Sequence, residues 1–137
     1  MASNIGRIAD RHEAFWHIAS FLAAHPIYRA LRLESMRVLQ QAITHGNYCC
    51  LTDGKTLQAV ATWSSIDLAG LRQFYPNYVS HSTEPIDGIF LTSLAAINRA
   101  SLKIMIRHVR MKFSGKDVYW DRHKGKKLGH KPANLPV

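Results

Sequence analysis

The stretch "YCCLTDGKTLQAVATWSSI", residues 48–66, places Asp53-Gly54 between two apolar runs. Asp-Gly supplies the positive φ angles of a tight hairpin turn, so this segment reads as two antiparallel strands. The chain before it has a different period. Phe15, Ile18, Phe21 and Leu22 recur at helical spacing over residues 10–24, with Asp10 as N-cap and Glu13 three residues on. Pro26 ends that helix, because proline disfavours helical backbone at the residue before it. Residues 30–45 predict a second helix with Leu31, Met36, Leu39, Ala42 and Ile43 inward, and Gly46 stops it. A fold for this chain must therefore pack two helices against a sheet that contains this hairpin.

After the hairpin, "DLAGLRQFY" predicts a short helix and "PNYVSHSTEP" a loop. "GIFLTSLAA", residues 88–96, reads as a buried strand. Asn98 caps a third helix over 99–113, and "DVYWD" is a last strand. Residues 122–137 read as a flexible basic tail. The order α-α-β-β-(α)-β-α-β predicts an α/β (α+β) layer fold, a mixed sheet with flanking helices. With 137 residues, a single domain over 1–137 is expected.

Charge is segregated. Up to residue 98 the acids and bases balance, so the net charge of +9 lies in the last third, where Asp117 and Asp121 are the acids. An acidic partner is implied: nucleic acid, an anionic membrane or an acidic protein. In the third helix, Leu102, Met105, Ile106, Val109 and Phe113 form one face, and Arg99, Lys103, Arg107 and Arg110 form a stripe beside it. That stripe reads either as a solvated face or as a ridge that docks anions. No apolar run approaches the roughly 18 residues of a membrane span, and acids and histidines interrupt any secretory pattern at the N-terminus. A cytoplasmic protein is expected. Cys49 and Cys50 read as reduced strand thiols on opposite faces, with a disulfide between these neighbours as the alternative. The dispersed histidines predict no metal site.

Several blocks in collinear order carry a resemblance: the junction His25-Pro26-Ile27-Tyr28-Arg29, the strand Asn47-Tyr48-Cys49-Cys50-Leu51, Thr62-Trp63-Ser64, and "IFLTSLAAINRASLKIMIRHVRMKF". Over residues 12–113 this chain resembles the RTX toxin-activating lysine acyltransferases, the hemolysin-activating type. The resemblance implies an N-acetyltransferase-like (GNAT-like) fold. It implies an acyl carrier protein as donor, bearing the fatty acyl group on phosphopantetheine as substrate, with no resident cofactor, and lysines of a target protein as acceptors. It also places two departures. The family's catalytic histidine falls on Tyr28, and its catalytic aspartate falls on Thr92.

Lysine acylation needs a neutral amine, so a base near pH 7 must take a proton. Tyrosine, with an ordinary pKa of about 10, is a poor base, and a threonine cannot replace a carboxylate's charge. His25 is the nearby group able to stand in, or it caps the first helix. His25, Tyr28 and Thr92 are therefore the candidate catalytic residues. Ala95, Ala96 and Asn98 offer a strand end running into a helix N-terminus, which can receive a phosphate through backbone N–H groups. Arg99, Lys103, Arg107 and Arg110 are the candidate partner-binding residues. Three functions follow as expectations: an active acyltransferase, a lapsed relative that acts by binding a protein, and a nucleic-acid binder using the basic third, with Tyr119, Trp120 and His123 for stacking. Self-association as a homodimer is a further expectation.

Overall fold

The computed structural model describes residues 4–25, 33–54, 56–66, 88–122 and 127–132. Strand β1 (Asn4–Gly6) leads into helices α1 (Arg11–Ala24) and α2 (Leu33–Thr44). Strands β2 (Tyr48–Asp53), β3 (Thr56–Ile66) and β4 (Gly88–Ala96) follow. Helix α3 (Arg99–Lys112) then crosses to β5 (Asp117–Arg122), and β6 (Lys127–Pro132) ends the sheet. Among the described residues, six strands lie in sequence order in the sheet. Every neighbouring pair is antiparallel except β4 and β5, which are parallel and joined by α3. This is a mixed sheet with flanking helices, the fold class expected, in a GNAT-like arrangement.

Local chemistry explains the boundaries. Asp10 accepts the Glu13 N–H at 3.0 Å and starts α1. Gly46, at φ 70°, turns the chain out of α2 and donates its N–H to the Ile43 carbonyl. The hairpin turns at Gly54, φ 63°, between the paired residues Asp53 and Thr56. Asn98 accepts the Ser101 N–H at 2.8 Å and starts α3.

Each face of the sheet buries its own core. On one, Ala14, Ile18 and Leu22 of α1 and Leu39 and Ile43 of α2 cover Cys50, Val60 and Ala95. On the other, Met105, Val109 and Phe113 cover Cys49, Leu51, Ala61, Trp63 and Ile89. The neighbouring cysteines thus serve opposite cores, and both are free thiols. Burial pushes Cys49 up to about 11 and Cys50 up to about 12, so both are held as unreactive thiols.

Three expectations change. Ile106 is exposed, because the inward stripe of α3 runs through Ser101, Met105 and Val109 and leaves position 106 on its flank. The segment read as a flexible tail contributes β6 over 127–132, paired along β5 from Asp117↔Pro132 to Arg122↔Lys127. Strand β1 was not expected and pairs with β2 at the opposite edge of the sheet. The helix and loop expected over 67–85 lie outside the described residues.

Candidate functional site

The parallel pair β4–β5 runs from Gly88↔Asp117 to Leu91↔Trp120. Strand β4 continues for five more residues, Thr92–Ala96, against β3. The ladder between the two parallel strands therefore ends at Leu91 and Trp120 while both strands run on, β4 to Ala96 and β5 to Arg122, which leaves a fork where the two are not paired with each other. The cause is local. In the β3–β4 ladder Thr62 faces Ser93 while Trp63 faces Leu91, so Thr92 is the extra residue of a β-bulge. A bulge bends its strand and ends pairing, which is why bulges recur beside binding sites.

The bulge also gathers hydroxyls. Because two residues of β4 oppose Thr62, both their side chains reach it. Thr62 Oγ1 lies 2.6 Å from Thr92 Oγ1 and 2.5 Å from Ser93 Oγ. Thr62 and Ser93 are buried and Thr92 is half-buried. Val60 and Ala95, on the same face as Thr62 and Ser93, belong to the core beneath α1. The hydroxyl cluster therefore lies on the α1 side of the sheet, with Thr92 as its half-buried member.

His25 is the C-cap of α1, and its backbone N–H bonds the Leu22 carbonyl at 3.0 Å. Leu22 packs in the core that contains Val60 and Ala95, so His25 and the hydroxyl cluster belong to the same face. Tyr28 lies outside the described residues. Among the described residues, no three His, Cys, Asp or Glu side chains gather as metal ligands.

At the far end of β4, Ala95 is buried, Ala96 is half-buried, and Asn98 and Arg99 open α3. Strand β4, running on past the fork, thus leads into the N-terminus of α3, a helix end suited to an anion although Asn98 already takes the Ser101 N–H. From α3 the stripe projects outward. Arg99, Lys103 and Arg107 are exposed and Arg110 is half-buried. Ile104, 44% exposed, and Met111, 72% exposed, lie two turns apart beside it. Lys112 is held differently, with its ammonium 5.7 Å from the Trp63 ring centre and 5.9 Å from that of Phe113. His108, half-buried on the same helix, is held below its ordinary pKa first by burial and then by Lys112. Both effects favour its neutral form, so it adds little to the ridge's charge.

Sequence reasoning named Thr92 as a candidate but did not foresee its hydroxyl cluster with Thr62 and Ser93. The signal was present as an adjacent polar pair, Thr92-Ser93, inside an otherwise apolar strand. No helix among the described residues is long and apolar enough to cross a membrane. A scan against protein families finds no match to this chain. A search of curated proteins finds no match either.

Proposed function

We propose that this chain is a carrier-protein-dependent acyltransferase of the toxin-activating lysine type. It takes the acyl-phosphopantetheine arm of an acyl carrier protein into the fork between β4 and β5. The observation that carries this reading is the fork itself: parallel strands paired over Gly88–Leu91, with β4 running on from Thr92 to Ala96. Phosphopantetheine is a narrow chain with amide groups, able to lie along an open strand as an added strand does. Its phosphate would meet the N-terminus of α3 near Asn98, and the acidic carrier would meet Arg99, Lys103, Arg107 and Arg110.

A protein suits this ridge better than a nucleic acid does. Ile104 and Met111 are exposed beside the cations. A phosphate backbone leaves them in water, whereas a protein surface with acidic and apolar side chains covers both kinds of group.

Transfer requires the lysine amine to attack the thioester carbonyl, forming the amide as the carbon–sulfur bond breaks. The amine's proton passes to a base and the departing thiolate acquires one. His25 is the candidate base, and Tyr28 is the candidate acid for the thiolate. A second reading rests on one observation. The position where a carboxylate would orient the base holds Thr92, bonded to another threonine. This favours a relative that binds the loaded carrier and does not turn it over.

Incubation with acyl-carrier-protein thioesters, read by mass spectrometry, separates these readings. Thioester loss and a mass gain on protein lysine, both abolished by His25→Ala, establish transfer. A stable complex without thioester loss establishes the binding role. No complex and no loss overturns the proposal.

A further inference from the structure

The hydroxyl cluster has an odd number of protons, and that decides its polarity. Thr62, Thr92 and Ser93 bring three hydroxyl protons to two hydrogen bonds, both at Thr62 Oγ1. One proton is left to point out of the cluster. Three arrangements exist. If Thr92 donates to Thr62 and Thr62 to Ser93, the surplus proton sits on Ser93, which is 6% exposed. If Thr92 and Ser93 both donate to Thr62, it sits on Thr62, which is 1% exposed. If Ser93 donates to Thr62 and Thr62 to Thr92, it sits on Thr92, the half-buried member. An unpaired buried donor is costly and a donor that reaches solvent or ligand is not, so the last arrangement is favoured.

We infer that Thr92 is an outward hydrogen-bond donor at the mouth of the fork, backed by Thr62 and Ser93, and that it takes the carbonyl oxygen of a bound acyl thioester. The inference rests on the thioester reading above. Each hydroxyl in the chain polarises the next, so Thr92 donates more strongly than an isolated threonine. The bulge is what makes this geometry, because it places Thr92 and Ser93 together over Thr62 and at the point where β5 leaves β4. The position is thus a donor site for an uncharged oxygen, a role a carboxylate there could not fill. Thr92 acts on the ligand, and Thr62 and Ser93 act through it as positioning residues.

The test is isotope-edited infrared spectroscopy of octanoyl-phosphopantetheine labelled at the thioester carbonyl carbon, bound to the full chain. A carbonyl that accepts a hydrogen bond absorbs at lower frequency. The bound band should lie below that of the thioester in an apolar solvent, and Thr92→Val should return it upward. Thr92→Ser should restore the low frequency. Thr62→Val, which leaves Thr92 intact but removes its backing, should give an intermediate band. Binding should weaken about threefold to tenfold in Thr92→Val, the size expected for one hydrogen bond. An unchanged band in a Thr92→Val protein that still binds overturns this inference alone. Absence of binding by the wild-type chain overturns the thioester reading and this inference with it.

Discussion

From Gly88 to Leu91, β4 has a strand on each side; from Thr92 to Ala96 it runs along β3 after the pairing with β5 has ended. The first half is closed by apolar packing, with Ile89 buried against Met105, Val109 and Val118 in one core. The second half carries hydroxyls and leads into a capped helix. One inserted residue separates the two. The bulge at Thr92 therefore divides a stretch of β4 paired on both sides from one paired to β3 alone, and the candidate site adjoins the core on the same strand.

Substitutions in the two halves should behave differently. The largest effect is expected in the closed half. A Cβ on Gly88 would collide with the backbone carbonyl of Asp117, and neither backbone can yield. Gly88→Ala should cost about 3 kcal/mol in urea unfolding. A cost below about 1 kcal/mol would show that the parallel pair is looser than its register implies.

In the open half the costs should be smaller. Thr62→Val leaves Ser93 buried without its hydroxyl partner and should cost about 1–2 kcal/mol by the same measurement. Thr92→Val, at the half-buried end of the cluster, should cost less than Thr62→Val. The reverse order would place the surplus proton elsewhere in the cluster. Asn98→Ala removes the cap that starts α3 and should cost about 1 kcal/mol.

On the ridge, Lys103→Glu combined with Arg107→Glu should change stability by no more than about 0.5 kcal/mol, because both side chains are exposed. The same pair should slow association with acyl carrier protein and flatten its dependence on salt, measured by stopped flow. Equal association rates would remove the ridge from the docking surface.

At neutral pH the thiols contribute nothing to the pH dependence of stability, since both are protonated in the folded and unfolded chain. Above about pH 9 the unfolded chain loses these protons first. The folded pKa values lie at about 11 for Cys49 and about 12 for Cys50. Stability should therefore fall as pH rises from about 9, continuing until both folded values are passed. Alkylation at pH 8 should be slow in the native chain and fast in urea. Rapid native alkylation would mean that one of the two cores opens.

Much of this architecture is written locally. Asp10 and Asn98 are caps with short polar side chains before apolar helical runs, and Asp53-Gly54 marks the hairpin, although Asp53 itself stays in the ladder opposite Thr56 and the turn begins at Gly54, so these boundaries are legible in sequence to within a residue. Strand β1 has three residues and no alternation, and only its pairing with β2 makes it a strand. Strand β6 draws on Lys, Gly, His and Pro, a composition that reads as loop until β5 supplies its partner. The bulge is hidden for another reason. Strand β4 is apolar in both phases, with Ile89, Phe90 and Leu91 in a row and Leu94, Ala95 and Ala96 in another, so a change of phase leaves no mark. Thr92 could be singled out, but its partnership with Thr62 depends on a register that only the sheet defines.

The most direct test is amide hydrogen exchange along β4 with and without acyl-loaded carrier protein. The account predicts that amides within Thr92–Ala96 gain protection when the loaded carrier is added and gain none with the carrier lacking its acyl-phosphopantetheine arm. Amides of Gly88–Leu91, already within the sheet, should change little. Equal protection by both forms of the carrier, or protection that spares Thr92–Ala96, would contradict it.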